Sequence, residues 1–357
     1  MDLLDRIKNI LTVDELARFK PAPPPQPTPP GVRKIATGLQ HEYATMYPED
    51  PDRHLILLQH PAGCYGLHFT GDGYPDDESR FYRMLPAEIS HSSQPRWRRT
   101  KSVTFCYLWA NEIREYDCAT GKITTLKRFD LPQINGMGES DLSEDDDHIV
   151  LASGRNVFVY EFSTDRILDR YEVPEETFDN LYLSPDNRAV VGLYKAGVVI
   201  MDGFGDAVRI AAALGHMDVS SDVDGNPIAV WCNSADASGE NKHAALANCE
   251  NGIVKIDLKT GKQTCLLPLD WSLAVHISLP DRAVFALVST YDPTNPDSKV
   301  QYANENLVVA VDGSSVRSLG KHNADSRTYE GKPKASISPD GTRYVYDSRG
   351  DVYLGTI

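Results

Sequence analysis

Residues able to bind anions or transfer protons stand at the starts of several repeated segments of the chain. The segment EGKPKASISPDG carries Lys332 and Lys334 just before a turn motif. Further residues of this kind occupy similar positions in other segments: Arg96, Glu139, Asp141, His216, Asp218 and His276. Lysine and arginine bind carboxylates through charge-assisted hydrogen bonds, and histidine transfers protons near neutral pH. If the fold gathers these residues, they form either a site for an acidic ligand or a network of ion pairs.

A repeat that begins at residue 32 predicts the elements that position these side chains. Seven units follow one another, each with strands separated by turns rich in Asp, Asn and Gly, as in LSPDNRAVVGLYKAGVVIMDG and SISPDGTRYVYDSRGDVYLGTI. Repeats of this kind predict an all-β fold, a seven-bladed β-propeller with four-stranded blades. The innermost strand of each blade lines a central funnel. The residues at the unit starts should therefore meet at one mouth of that funnel.

The last unit reaches Ile357 after only three strands. The segment GVRKIAT, residues 31–37, can supply the missing outer strand and close the ring, which removes a free sheet edge. We therefore expect the two ends of the propeller, residues 32–357, to share one blade.

The N-terminal region divides into two short parts. Residues 1–20 place Leu3, Leu4, Ile7, Ile10 and Leu11 at helical spacing, which predicts an amphipathic helical anchor. Residues 21–31 are rich in proline and predict a stiff polyproline II linker. The helix either folds back on the propeller or docks on a protein partner through residues 1–30. We favour docking, because a stiff spacer has little use if the helix packs directly on the propeller.

Composition excludes several classes of function. The chain has 36 Lys and Arg against 51 Asp and Glu, a net charge of −15, which opposes binding to nucleic acid or to anionic lipid. No apolar stretch is long enough to span a membrane and no secretory signal is present, so we expect a cytoplasmic protein. The cysteines lack zinc-ligand spacing. We expect most of them to be reduced, although Cys232 and Cys249 could pair if their strands are neighbours.

The later units, with GHMDVSSDVDGNP, DWSLAVHIS and KPKASISPDGTRYVYDS, resemble the oligogalacturonate lyases and a larger group of uncharacterised bacterial propellers. For the lyases, the resemblance implies a manganese ion held by histidines and a glutamine, which assists β-elimination in a uronate chain. His216 and His276 match histidine positions of that pattern. Lys332 and Lys334 stand where the lyases have a His-x-His pair, and a lysine ammonium has no lone pair for a metal. We therefore expect no metal here.

Two interpretations of the funnel mouth follow. In the first, Lys334 pairs with Asp218 or Asp141 and the residues form a structural plug. In the second, Lys332, Lys334 and Arg96 form a cationic pocket for a carboxylated sugar, with His216 transferring a proton. We favour the plug, because propeller axes are usually filled with polar networks. The acidic stretch SDLSEDDDH, residues 140–148, lacks the glycine and distant glutamate of a calcium loop and is interpreted as a blade turn.

The sequence thus supports two functions of different class. The favoured one is a non-catalytic propeller that serves as an interaction or assembly module, with no cofactor, tethered to a larger complex such as a virion. The alternative is a polysaccharide lyase or uronate-glycan-binding protein with a remodelled site. Under that alternative His216 is catalytic and manganese is the cofactor.

Overall fold

A computed structural model of the chain describes residues 29, 31–41, 46, 55–61, 63–69, 80–136, 142–174, 178–193, 197–203, 206–211, 215–232, 249, 251–328 and 331–357. The predicted helical anchor and almost all of the proline-rich linker lie outside these residues. Within them, the only helix is a short 3₁₀ turn at His91–Ser93, and no helix has the length and apolar character to span a bilayer.

The remaining regular structure in the described residues is β-strand. In chain order the strands are β1 (Val32–Thr37), β2 (Leu55–Gln59), β3 (Tyr65–Phe69), β4 (Arg80–Met84), β5 (Arg96–Trp97), β6 (Thr104–Trp109), β7 (Glu112–Asp117), β8 (Lys122–Arg128), β9 (His148–Ser153), β10 (Asn156–Glu161), β11 (Arg166–Glu172), β12 (Asn180–Leu183), β13 (Ala189–Leu193), β14 (Gly197–Met201), β15 (Ala207–Ala211), β16 (Met217–Ser221), β17 (Pro227–Cys232), β18 (Gly252–Asp257), β19 (Gln263–Pro268), β20 (Ala274–Ser278), β21 (Phe285–Tyr291), β22 (Glu305–Ala310), β23 (Val316–Lys321), β24 (Ser336–Ile337), β25 (Arg343–Ser348) and β26 (Asp351–Thr356).

These strands form seven antiparallel sheets, which are the blades of the predicted propeller. Blades 1 to 6 contain β2–β4, β5–β8, β9–β11, β12–β15, β16–β19 and β20–β23, and blade 7 contains β24–β26 with β1. In blades 1 and 3 the innermost position is marked by isolated bridges, Met46 to Ile56 and Leu142 to Ile149. The predicted all-β, seven-bladed architecture is confirmed.

The N-terminal strand closes the ring as predicted. β1 pairs with β26 in antiparallel register from Val32 opposite Gly355 to Thr37 opposite Asp351. On its inner side, β1 packs Ile35 with Ile56 of blade 1 and Val345 of blade 7 in one fully buried cluster. Each such aliphatic side chain contributes about 1.5 to 3 kcal/mol through burial, so the closure is held by both hydrogen bonds and packing.

The hydrophobic core is divided among the seven contacts between neighbouring blades. Side chains along each middle strand point alternately to the two neighbouring blades, which produces this arrangement. In β17, Val230 faces blade 6 while Trp231 faces blade 4, so both faces of the strand are buried. The outer strands differ: β11 alternates exposed and half-buried residues along its whole length.

The same alternation of side chains determines which cysteines can form a disulfide. Cys232 of β17 lies on the blade 6 face of its sheet, whereas Cys249 and Cys265 lie on the blade 4 face. Cys249 is bonded to Cys265, with the two Cα atoms 5.8 Å apart. The pairing of Cys232 with Cys249 that the sequence left open is therefore wrong, because those two side chains are on opposite faces of blade 5.

Candidate functional site

The innermost strands run parallel to one another around the axis. The backbone N–H groups of Ile277 and Leu279 donate to the side chains of His216 and Asp218, both at a sequence offset of 61 residues. A constant offset between two strands requires that they run in the same direction. The ring therefore has an upstream mouth, where the innermost strands begin, and a downstream mouth, where they end.

Two histidines meet at the upstream mouth. His216 immediately precedes β16 and His276 lies in β20, and their ring centroids are 4.3 Å apart in an edge-to-face arrangement. The Nδ1 atom of His216 accepts the Ile277 N–H at 3.0 Å. His276 is 5% exposed and also stacks on Tyr291, with centroids 5.8 Å apart. Each histidine is thus fixed by the neighbouring strand or ring.

The two lysines lie in the same cluster. Lys334 is 1% exposed, while Lys332 is half-buried, with its Nζ atom 5.6 Å from the centroid of the Tyr291 ring. Burial, and then the positive charge of Lys334, lowers the pKa of Lys332. Lys334 also has a left-handed backbone, with φ of 42°, which is uncommon for a residue with a side chain.

The surroundings keep His276 neutral. Burial lowers its pKa well below the ordinary value of 6.5, and the charges of His216, Lys332, Lys334 and His41 lower it further. A neutral imidazole in this position can accept or donate a hydrogen bond. It cannot serve as a general acid at neutral pH.

Asp218 contacts the next blade in the same way as His216, two residues further along the chain. Its Oδ1 atom accepts the N–H of Val219 at 2.7 Å and its Oδ2 atom accepts the N–H of Leu279 at 2.6 Å. Ser278 of β20 accepts the Ile337 N–H in the same way. Innermost strands expose N–H groups on the edge that faces the next blade, and these side chains satisfy them. We call these contacts the inter-blade staples of His216, Asp218 and Ser278.

Arg96, Glu139 and Asp141 are the remaining residues predicted from the sequence. Arg96 is buried in β5, where its Nη1 atom donates to the carbonyl of Pro95 at 3.0 Å. Glu139 and Asp141 are outside the described residues. The structure thus brings His216, His276, Lys332 and Lys334 together, joins Asp218 to them through β16, and adds His41 and Tyr291. Tyr291 lies at the end of β21, a middle strand, so the pattern of innermost strand starts gave no sign of it.

A cavity of about 500 Å³ occupies the axis toward the downstream mouth. All seven blades line it, through Met46, Trp97, Leu142, Tyr182, Asp218, Ile277 and Ile337 among others. Its wall combines these groups with serine hydroxyls such as Ser220 and Ser336. Among the predicted site residues that the structure describes, Asp218 is the one that lines this cavity. The cluster of His216, His276, Lys332 and Lys334, which we call the His–Lys cluster, lies upstream of the cavity lining.

Comparisons with known proteins agree on the fold. No family model matches the sequence, and no curated protein matches it. Among solved structures, an oligogalacturonate lyase in complex with manganese aligns with a TM-score of 0.62 and 11% identity, over 91% of this chain and 93% of that one. The oligogalacturonate lyase of Vibrio parahaemolyticus aligns with a TM-score of 0.61, the same identity and the same coverage.

A chain of a mitotic checkpoint complex aligns with a TM-score of 0.56 and 11% identity, over 95% of this chain and 98% of that one. Proteins of unrelated function therefore match at the same identity. The likeness is one of fold, and function has to be argued from the site.

The upstream mouth does not fit a manganese ion. Two lysines stand beside the two imidazoles, and a lysine ammonium has no lone pair for a metal while its charge opposes a divalent cation. The Nδ1 lone pair of His216 is already engaged by Ile277. In the described part of the chain, the one set of three ligand atoms within 4.8 Å of one another lies elsewhere, at Asp145, Asp147 and His148.

Proposed function

We propose that this protein is a non-catalytic β-propeller that serves as an interaction or assembly module and is tethered to a larger complex by residues 1–30. The observation that carries the proposal is the staple made by His216. This residue is the best sequence candidate for an acid or base, yet its Nδ1 atom accepts a backbone N–H of the next blade. Its neighbour His276 is held neutral. These contacts support a structural role for the mouth, in which His216 joins neighbouring blades.

The path of the chain supports a tether on the outside of the ring. Pro29 packs against Gly320 of β23, the outer strand of blade 6: a Cβ added at Gly320 would lie 2.9 Å from the Cβ and Cγ atoms of Pro29. The Pro29 carbonyl accepts the N–H of Val32 at 3.1 Å. Pro29, where the described part of the chain begins, thus lies at the outer rim of the ring. Such a rim position leaves both mouths open while the helical anchor docks; a virion assembled in the host cytoplasm is one such complex.

The tether is tested by deleting residues 1–28 and following co-purification with the native complex from the source cells. We expect the truncated protein to retain the circular dichroism spectrum and melting temperature of the full chain and to lose the complex. Retention of the complex by the truncated protein would refute the tether. A shift in melting temperature would instead reveal that the segment packs on the propeller.

The absence of lyase activity is tested separately on the full chain. Oligogalacturonate is incubated with the protein, with and without added manganese, and unsaturated uronate is followed by ultraviolet absorbance. We expect no product above that of a boiled control. Metal-dependent product that disappears in His216→Ala would show that the protein is an enzyme.

A second candidate function is the binding of a uronate glycan, and the half-buried Lys332 favours it. An ammonium beside an aromatic ring and a second lysine suits a carboxylate on a sugar ring. Calorimetric titration with oligogalacturonate tests this, comparing the full chain with Lys332→Ala and with Lys259→Ala at an exposed turn. Binding lost only in Lys332→Ala supports the pocket, and equal or absent binding in all three rejects it.

A further inference from the structure

We propose that the turn before β9 binds a divalent transition-metal cation, best matched by Zn²⁺, through Asp145, Asp147 and His148. The turn belongs to blade 3, at the downstream mouth. One ligand atom from each of the three residues lies within 4.8 Å of the other two. This site is separate from the His–Lys cluster, and the proposal does not depend on the tether.

The decisive side chain is His148, which is 8% exposed. Its Nδ1 atom is buried and has no hydrogen-bond partner among the described residues, and it faces the Oδ1 atom of Asp145 at 3.9 Å. A buried ring nitrogen is rarely left without a partner, because losing its hydrogen bond to water costs about 1 to 3 kcal/mol. A cation between Nδ1 and the carboxylates would satisfy it.

The other ring nitrogen is arranged as in known metal sites. The Nε2 atom of His148 lies 3.4 Å from the Oε1 atom of Glu161, its cross-strand neighbour on β10. Metal-binding histidines usually donate their second N–H to a carboxylate, which fixes the ring and leaves the first nitrogen free to coordinate. Glu161 can therefore hold the Nε2–H tautomer and present the Nδ1 lone pair to the turn.

The carboxylates are oriented by groups that leave room for a cation. Asp145 accepts the Ser143 hydroxyl at 2.5 Å and the Asp147 N–H at 3.1 Å. Asp147 accepts the N–H and hydroxyl of Ser163 at 2.7 and 2.6 Å. A carboxylate has about four acceptor sites on its two oxygens, and both bonds to Asp145 use Oδ1, so its Oδ2 and the second lone pairs of Asp147 can still bind a metal.

The corresponding turn of blade 4 places a cation beside the equivalent carboxylate. There Ser184 donates to Asp186, as Ser143 does to Asp145, but the second oxygen of Asp186 pairs with the guanidinium of Arg188 at 2.8 Å. In blade 3, the residues that follow the turn are a second carboxylate and an imidazole. The guanidinium of Arg98 pairs at 3.1 Å with Asp146, which is not one of the three ligands.

The distances fit zinc better than calcium or magnesium. Tetrahedral ligands about 2.1 Å from Zn²⁺ are about 3.4 Å apart, so the 3.9 Å separation of Nδ1 and Oδ1 closes with a small rotation of the exposed Asp145. Calcium and magnesium prefer sites made only of oxygen, whereas imidazole favours zinc and its neighbours. Three protein ligands would leave a coordination position for water, and Asp145 also lines the axial cavity.

The test is calorimetric titration of Zn²⁺ into the untagged full chain after treatment with a chelator. We expect Asp145→Asn to weaken binding by at least about tenfold, and Glu161→Gln to weaken it by about 10- to 100-fold, as for other outer partners of metal-binding histidines. The matched control is Asp186→Asn in the equivalent turn of blade 4, which should bind Zn²⁺ as the wild type does.

Circular dichroism and melting temperature show whether each variant is folded, and Asp145 is exposed, so its substitution should not unfold the chain. The visible absorbance of Co²⁺, used in place of Zn²⁺, reports on the ligands of the bound ion. Absence of binding in the wild type overturns the proposal. So does equal affinity in the wild type and in Asp145→Asn, because the metal would then be bound elsewhere.

Discussion

His322 should make the propeller sensitive to acid. It follows β23 and is buried, with its Nε2 atom 2.8 Å from the carbonyl oxygen of Thr290 and its Nδ1 atom accepting the N–H of Ala324 at 3.0 Å. Because Nδ1 accepts a backbone N–H, the ring proton must be on Nε2. Protonation of Nδ1 would break the bond to Ala324 and leave a charge in the interior.

The size of the stability loss follows from the lowered pKa of His322. Burial, and to a lesser degree Lys321, lowers the pKa of His322 from 6.5 to about 4. The unfolded chain therefore takes up a proton as the pH falls below 6.5 while the folded chain does not, and stability is lost between pH 6.5 and about pH 4. Near pH 5 the loss from this one residue is about 2 kcal/mol. The pKa of buried His68, lowered to about 3, adds a loss of the same sign.

The assay is urea unfolding at about pH 7.5 and about pH 5, for the wild type and for His322→Gln. Glutamine keeps a donor for Thr290 and leaves the Ala324 N–H unsatisfied, so the variant should be less stable at both pH values by about 1 to 3 kcal/mol. The decisive quantity is the difference in the free energy of unfolding between the two pH values, which should be about 2 kcal/mol smaller in the variant. His91→Gln, at an exposed histidine, controls for loss of an imidazole. Equal changes in the wild type and in His322→Gln would refute the reasoning.

Two further predictions concern the backbone and the disulfide. Gly320→Ala adds a Cβ 2.9 Å from Pro29 at a φ of +107°. It should lower the melting temperature more than Gly154→Ala, where φ is also positive but no atom lies near the added Cβ. Equal shifts in melting temperature would contradict the packing of Pro29 against Gly320. Cys265→Ser should lower the free energy of unfolding by about 3 kcal/mol, since the bond to Cys249 closes a loop with a sequence separation of 16. Alkylation of both thiols without a reductant would show that the bond does not form.

Much of the fold could be predicted from the sequence because propeller repeats are local. Each blade begins and ends within a short stretch of chain, and turns such as SPDG, with Gly341 at a φ of +74°, mark its boundaries. Even the long-range pairing of β1 with β26 was accessible, because a unit with three strands needs a fourth. The disulfide between Cys249 and Cys265 could not be predicted, because it depends on which face of the sheet each cysteine occupies.

The site was predicted less completely, for a physical reason. Residues at the starts of innermost strands do converge, and His216, His276, Lys332 and Lys334 form one cluster. What each side chain bonds to depends on the neighbouring blade, and the repeat pattern contains nothing about that contact. The downstream cavity and Tyr291 were missed for the same cause, since both arise from packing across the axis.

The inter-blade staples explain why polar residues at a propeller mouth are poor indicators of catalysis. An innermost strand pairs on one side only, so its other edge carries N–H groups that need acceptors whatever the protein does. Histidine, aspartate and serine supply such acceptors, as the bonds to Ile277, Leu279 and Ile337 illustrate. A side chain whose lone pair is engaged in this way is a weak candidate for chemistry, and one whose lone pair is buried without a partner is a stronger one. By that criterion His148 is a better candidate for chemistry than His216, although the sequence analysis singled out His216 and not His148.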